Sequence, residues 1–298
     1  MIISRDVYID EDLKLILSSL EESVRRTWNT KLLRSYSEGK TSVMNDLYQE
    51  LIKLEIFPYI NSTSLFNSAI INEVIGSYLL PGIIASTIIA VKSIQDKQLL
   101  EDIFRGRVKV AFSDVDLVPA ADQADVIIVG NNMVWKEEAS ITPYSSLDNS
   151  MKICRVSFNK SQHIEFNPSN AMVNISAQIV GAAEAVVNMS VEYAKNRIAF
   201  GKPIGSYQAI KHKLVDDAIT VELARSLYLE ASKDERIASV AKYYASKKLP
   251  KVIMDGIQVH GGIGFTDDID IHLYLRRAIT LGKIYHNVKP DIVSIYFS

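Results

Sequence analysis

The chain has 298 residues, with 33 basic and 35 acidic side chains and a formal net charge of −2. The near-neutral balance argues against a general nucleic-acid-binding protein, and a hydrophobic fraction of 48% excludes a disordered chain. At ~150 residues per domain, the length indicates about two compact units. Cys154 is the one cysteine, which excludes an internal disulfide and fits a reducing compartment. The first residues lack the basic and apolar blocks of a signal peptide, so we expect a cytoplasmic protein.

The first part of the chain, residues 1–104, has the apolar spacing of helices. Asp10 can cap the first helix, and the polar stretch 34–40 is interpreted as a link to the next. Residues 74–91 carry no charge and are borderline in length for a membrane span. Pro81 interrupts this run, which favours two short buried helices instead. We therefore expect an N-terminal helical domain over residues 1–104 with no membrane span.

The middle part changes to the period of strands. From Gly106 onward apolar and polar residues alternate, so that Val108, Val110 and Phe112 would face one side of a strand. The run from Asp125 to Gly130 predicts a buried strand that ends in a turn. We expect a small β domain over residues 105–166, with the strand pairing left open.

The last part returns to helical spacing. Four long segments, at about residues 171–199, 206–232, 234–259 and 268–281, predict an antiparallel bundle. Ser206 can cap the second segment, and Pro250 would break or kink the third. The fold class is therefore mainly α with a small β middle domain, and the bundle domain is expected over residues 167–298.

Two stretches in the last part could contact a ligand. The stretch RIAFGKPI places Arg197 on a helix end beside a glycine turn, where its planar donors would suit phosphate oxygens. Taken alone, such an arginine is also typical of a solvated helix end. The stretch QVHGGIGF begins at Gln258, and its glycines let backbone N–H groups approach a ligand closely. It could equally be a tight turn, and it is not a dinucleotide-binding fingerprint because no strand precedes it.

Four separated stretches agree in order and spacing with one family. They lie at residues 193–204, 207–212, 258–265 and 274–278. Over about residues 171–282 the chain resembles the C-terminal helical domain of the acyl-CoA dehydrogenase family. The resemblance implies a subunit with a helical, a β and a four-helix part. It also implies an FAD that lies between subunits, with an acyl-CoA thioester against the flavin.

The resemblance assigns the following residues to the FAD site: Arg197, Phe200, Gln208, Gln258, Gly261 and Gly262. It implies that Arg197 meets the pyrophosphate of an FAD in a neighbouring subunit, with Phe200 beside the cofactor. The glycine stretch after Gln258 would reach the adenosine diphosphate portion. Gln208 is implied as a contact in the same corner.

In the resembled family, a glutamate removes the proton α to the thioester while hydride leaves the β carbon for the flavin. Such a weakly acidic proton requires a positioned base. The family's base follows the fourth bundle helix, where this chain aligns Tyr285 or His286, or it begins the long helix, where this chain has Ala171. No glutamate occupies either place, and His286 is the remaining candidate base. The histidines and the cysteine show no metal-ligand spacing.

Three functions remain open from the sequence. The leading one is an FAD-dependent acyl-CoA dehydrogenase that acts on a CoA thioester as a dimer or tetramer. The second is a non-catalytic or half-site subunit that completes an active site with a related chain. The third is a flavin-free binding protein on the same fold. Self-association is expected through the bundle, whose small residues allow close helix approach: Ala177, Gly181, Ala182 and Ala183.

Overall fold

The computed structural model describes residues 9–284, and within them the chain forms eleven α-helices and nine short strands. Seven helices precede the first strand: α1 (Glu11–Thr27), α2 (Thr30–Ser37), α3 (Asn45–Lys53), α4 (Ile56–Ser62), α5 (Leu65–Ser77), α6 (Gly82–Ala90) and α7 (Lys97–Phe104). Asp10 caps α1 as predicted, because its carboxylate accepts the backbone N–H of Leu13 at 2.8 Å. Pro81 stands at the N-cap of α6, and the two buried helices expected on either side of it, α5 and α6, are confirmed.

One helix of the first part was missed. The polar stretch 34–40 was expected to be a link, but residues 34–37 belong to α2. The helix forms because Asn29 caps it through the N–H of Leu32, and because Leu33 and Tyr36 bury one of its faces. The polar side chains occupy its other face. In a helix of only eight residues, two buried positions are too few to show a clear amphipathic pattern in the sequence.

The middle part contains two small sheets. Their strands are β1 (Val110–Ser113), β2 (Leu117–Pro119), β3 (Val126–Val129), β4 (Asn132–Trp135), β5 (Ala139–Tyr144), β6 (Ile153–Phe158) and β7 (Gln162–His163). One sheet has the order β1-β3-β4-β7, with β1 and β3 parallel, and the other has the antiparallel order β2-β6-β5. A strand forms within the stretch where the alternation predicts one, as β1, and all four of its residues are buried, so both of its faces are covered. Helix α6 contacts β1, and Thr87 accepts the N–H of Val110 through its hydroxyl at 2.9 Å.

The last part is a bundle of four long helices: α8 (Pro168–Asn196), α9 (Gln208–Ala231), α10 (Ala238–His260) and α11 (Ile271–Lys283). A two-stranded hairpin, β8 (Ile198–Ala199) and β9 (Lys202–Pro203), joins α8 to α9. Ser206 does not cap α9, because the helix begins two residues later and Tyr207 is its N-cap. Pro250 lies inside α10 without ending it. The fold class, mainly α with a small β region, is confirmed, and the domain boundaries at residues 104 and 166 stay a prediction.

Helix α8 is the core helix of the molecule. Among the described helices it is the one that is long and apolar enough to cross a membrane, but most of its apolar stretch is buried inside the protein. Helix α5 lies so close to it that a Cβ on Gly76 would come within 2.0 Å of the Gln178 carbonyl oxygen. A Cβ on Gly181 would come within 1.9 Å of the Glu73 carbonyl oxygen. The small residues of α8 that were expected at a subunit surface are therefore buried within the chain.

A buried ion pair joins the first part to the bundle. The Arg225 guanidinium on α9 donates to Glu73 on α5, with 2.9 Å from Nη2 to Oε1 and 3.1 Å from Nε to Oε2. Both side chains are fully buried, and Tyr228 also donates to Glu73. Glu184 on α8 lies 3.0 Å from the same guanidinium. Three helices are thus held in register around one charge.

Candidate functional site

Three helix ends meet at one end of the bundle. Ala194 near the end of α8, Leu214 near the start of α9 and Val259 near the end of α10 form a small buried cluster. The ring of Tyr193 stacks on the ring of His260, with 4.3 Å between their centroids. We call this region the hairpin end of the bundle, because the β8–β9 hairpin lies there. It brings together the six residues that the resemblance assigns to the FAD site.

The hairpin itself has a strained tip. Phe200 and Gly201 form the two-residue turn between β8 and β9, with φ values of 51° and 78°. Positive φ at both positions is the requirement of a type I′ turn, and it is unfavourable for a residue such as phenylalanine. The Phe200 side chain is 96% exposed, so packing within the described residues does not compensate for this strain. Strain of this kind tends to occur at functional sites.

The polar side chains at the hairpin end are available to a ligand. Arg197, Gln208 and Gln258 are exposed, and none of them has a side-chain hydrogen bond or ion pair within residues 9–284. Gly261 has a φ of 66°, and a Cβ on Gly261 or Gly262 would meet nothing within 4 Å. Packing of this chain therefore does not require glycine at position 262. The open backbone and the unpaired donors fit a phosphate-bearing group that approaches from outside.

Of the two positions where the family carries its base, Ala171 lies at the opposite end of the bundle, near the start of α8. Ala171 is fully buried in the first turn of α8 and has no proton acceptor. The other position, Tyr285 or His286, lies outside the described residues, so the proposal for His286 is not tested by the structure. Where α6, β1, α8 and α11 meet, the structure leaves a cavity of about 20 Å³. It is lined by apolar side chains that include Phe112, Met151 and Ile175.

This cavity is smaller than the pockets that usually hold ligands. Small-molecule and cofactor pockets usually measure ~300–1,000 Å³. Ile175 lies one helical turn from Ala171, and Ile284 directly precedes the alternative base position. A reacting acyl group and a flavin ring therefore do not fit in this cavity in the conformation described. The exposed polar groups of the hairpin end fit the phosphates of FAD.

A buried lysine near this cavity was missed by sequence reasoning. Lys242 on α10 is fully buried, and its ammonium donates to the Ser246 hydroxyl at 3.1 Å and to the Gly282 carbonyl at 3.2 Å. Burial lowers the pKa of Lys242 to about 7, although Asp114 opposes this shift. The amine holds the last turn of α11, where helix carbonyls attract positive charge. Its position among Ala238, Ala241 and Ala245 on the apolar face of α10 could have revealed it.

Comparison with known proteins agrees with this arrangement. The family model described as acyl-CoA dehydrogenase, C-terminal domain, matches residues 169–284. The acyl-CoA dehydrogenase IpdE2 of Mycobacterium tuberculosis is 31% identical over 228 residues, which cover 72% of this chain and 71% of that protein.

Solved structures share the fold across nearly the whole chain. Butyryl-CoA dehydrogenase from Megasphaera elsdenii superimposes with a TM-score of 0.75 at 18% identity, covering 93% of this chain and 94% of that one. The ChsE4-ChsE5 complex from Mycobacterium tuberculosis gives a TM-score of 0.80 at 16% identity, covering 92% and 93%. With the match in sequence to IpdE2, these findings lead to one conclusion: the chain belongs to the acyl-CoA dehydrogenase family.

Proposed function

We propose that this chain is a half-site subunit of an FAD-dependent acyl-CoA dehydrogenase. It would bind the adenosine diphosphate part of an FAD at its hairpin end. A related chain would hold the flavin ring and the acyl-CoA thioester and would supply the glutamate base. The assembly would carry out α,β-dehydrogenation of the thioester, in which FAD supplies the hydride acceptor.

The observation that carries this proposal is the contrast between the two ends of the bundle. At the hairpin end, Arg197 and Gln258 are exposed without intramolecular partners among the described residues. At the other end, Ala171 is fully buried and cannot accept a proton, and the cavity at Ile175, one helical turn further along α8, measures about 20 Å³. A chain built to bind one part of the cofactor and not to react would have these two properties together. The ChsE4-ChsE5 complex supports the proposal by analogy, since a chain with this fold occurs there in a complex of two named components.

Each residue at the hairpin end has a stated role in the proposal. Arg197 donates a charge-assisted pair of hydrogen bonds to the pyrophosphate. Gly261 and Gly262 let the backbone approach it, and Gln258 binds the adenosine side. Phe200 covers the bound cofactor with its exposed ring. Gln208 orients the same corner from the first turn of α9.

Binding by the purified chain tests the half-site directly. We expect calorimetry to give similar affinities for ADP and FAD and no binding of FMN, because only the adenosine diphosphate part is recognised. If FAD binds more than about tenfold tighter than ADP, a gain of ~1.4 kcal/mol from the ring, the chain holds the flavin itself and the half-site proposal fails. If neither ADP nor FAD binds, the flavin-free alternative replaces it.

Turnover separates the half-site from the complete enzyme. We expect no dye reduction by the isolated chain with FAD and short- to long-chain acyl-CoAs, because general-base catalysis is worth ~10²–10⁴-fold and the base is missing. Activity should appear when the chain is co-purified with a related subunit that carries the glutamate. Robust turnover by the isolated chain would overturn the proposal. Loss of that turnover in His286→Ala, with FAD retained, would then identify His286 as the base.

A further inference from the structure

Helices α9 and α10 carry four charged side chains at the seam between them. Each helix has a lysine followed one turn later by an aspartate: Lys213 and Asp217 on α9, and Lys251 and Asp255 on α10. Both lysines donate to Asp255, with 2.6 Å from the Lys213 ammonium to its Oδ1. Asp217 is 5% exposed, and its Oδ2 has no hydrogen-bond partner among the described residues. We call these four residues the seam cluster.

The carboxyl group of Asp217 can gain or lose a proton near neutral pH. Burial, together with the charges of Asp255 and the exposed Asp216, raises its pKa to about 7, although Lys213 and Lys251 oppose this shift. Burial also opposes ionisation of Asp255, but the hydrogen bonds from both lysines lower its pKa overall. Helix α8 faces this part of α9 with valine side chains. The proton that the seam cluster exchanges near pH ~7 therefore belongs to Asp217.

The seam cluster lies directly beneath the hairpin end. Asp255 precedes Gln258 by three residues, or ~4.5 Å of helix. Lys213 is followed by Leu214, which belongs to the small buried cluster at the hairpin end. The Lys213–Asp255 ion pair joins α9, which begins at Gln208, to α10, which carries Gln258. This pair therefore helps to set the spacing between two side chains of the half-site.

We propose that the seam cluster couples cofactor binding at the hairpin end to the uptake of a proton, with Asp217 as the group that takes it up. This inference rests on the half-site proposal and adds a regulation by pH. With Asp217 protonated, two lysines and one carboxylate give the cluster a net positive charge, which attracts phosphates. With Asp217 ionised, the cluster is neutral overall, and Asp217 competes with Asp255 for Lys213, one turn away on the same helix.

The direction of the coupling follows from these two states. Asp217 holds its proton more tightly in the complex, because its ionised form would weaken the attraction for the phosphates. The complex therefore takes up a proton that the free chain has partly lost. FAD affinity should be highest below pH ~6 and should fall as the pH rises through ~7. The whole transition should amount to about fivefold, the scale of a partly screened charge interaction.

Calorimetric titration of the purified chain with FAD tests the coupling. FAD is the probe because a terminal phosphate, such as that of ADP, itself titrates near ~6. Titrations at pH 7 in two buffers of different ionisation enthalpy give the number of protons taken up per FAD, which we expect to be about 0.3. From pH 6 to pH 8.5 the FAD affinity of the wild type should fall about fourfold.

Two variants assign the proton. Asp217→Asn mimics the protonated acid, so it should bind FAD as the wild type does at pH 6, keep that affinity at pH 8.5 and take up no proton. Asp216→Asn is the matched control, because it removes the neighbouring exposed carboxylate of the same helix. It should keep the proton uptake of the wild type. A merely structural role of Asp217 would change the affinity equally at both pH values.

The outcomes distinguish this inference from the half-site proposal. FAD binding by the wild type without proton uptake would overturn the coupling and leave the half-site standing. Proton uptake that persists in Asp217→Asn would also overturn it, because the proton would then belong to another group. If FAD does not bind at either pH, the half-site proposal fails and the coupling fails with it.

Discussion

The Arg197→Ala substitution separates ligand binding from folding at the hairpin end. The backbone of Arg197 donates to the Tyr193 carbonyl and accepts from Ile204, both at 2.8 Å, and alanine keeps both bonds. The side chain is exposed and has no partner among the described residues, so the free energy of unfolding should change by less than ~0.5 kcal/mol. A charge-assisted hydrogen bond to phosphate contributes ~1.5–3 kcal/mol. We therefore expect ADP affinity to fall by about ten- to a hundredfold.

The assay is calorimetric titration of ADP, with thermal unfolding recorded in parallel. Arg197→Lys should give an intermediate affinity, because an ammonium keeps the charge but loses the planar pair of donors. Lys195→Ala is the matched control: it removes a nearby exposed cation that already pairs with Glu192 at 2.6 Å. It should alter ADP affinity less than about threefold, as screening by solvent and salt implies. Unchanged ADP binding by folded Arg197→Ala would refute the assignment of this residue.

Two further substitutions test the buried charges. Glu73→Gln should lower the free energy of unfolding by about 3 kcal/mol in denaturant titrations. The reason is that it leaves the buried Arg225 with only partly exposed partners. A loss below about 0.5 kcal/mol, the range of neutral surface changes, would contradict the role of this pair. Burial, with help from Asp255, raises the pKa of Asp217 to about 7, against the opposing charges of Lys213 and Lys251. In the unfolded chain Asp217 has its ordinary, lower pKa, so it loses its proton at a lower pH than in the folded protein. The contribution of Asp217 to the free energy of unfolding therefore falls as the pH rises from ~4 to ~7. Asp217→Asn should therefore raise the melting temperature more at pH 8 than at pH 5, and an equal effect at both would contradict the shift.

The sequence was informative where local chemistry decides structure. Pro81 lies between two buried helices and stands at the N-cap of the second, because proline lacks an N–H and fixes φ, and that effect needs no distant partner. The bundle could be predicted because long helices with apolar faces have few ways to bury them. Arg197 and Gln258 were assigned to one site by the family resemblance, and the structure places them on helix ends at the same end of the bundle; their binding of FAD stays a prediction.

The features that limit the chain's chemistry depend on distant contacts. Phe112 and Ile175 are 63 positions apart in the sequence, yet both line the small cavity where α6, β1, α8 and α11 meet. Likewise, Glu73 meets Arg225 across 152 positions. The type of each residue predicts whether that residue is buried or exposed, but it does not predict which distant residue it will contact. The absence of a glutamate at position 171 is visible in the sequence, whereas the packing around Ile175 required the structure.

Phe200 shows how strain and binding can be separated. A left-handed conformation costs a non-glycine residue ~1–2 kcal/mol. Glycine avoids this cost, but it makes the unfolded chain more flexible, which lowers the free energy of unfolding by ~0.4–1 kcal/mol. Phe200→Gly should therefore raise the free energy of unfolding by up to about 1 kcal/mol. If the ring covers bound cofactor, the same variant should bind FAD more weakly.

Two companion variants decide what the strain is for. Phe200→Asn accepts the left-handed conformation without an aromatic ring, so it should gain stability and lose FAD affinity together, as Phe200→Gly does. Phe200→Tyr keeps both the ring and the strain, and it should keep both properties of the wild type. If Phe200→Gly and Phe200→Asn bind FAD as tightly as the wild type, the exposed ring does not contact the cofactor. The strain at the hairpin tip would then serve the shape of the turn alone, and Arg197 with the glycine stretch would have to account for all recognition at this end.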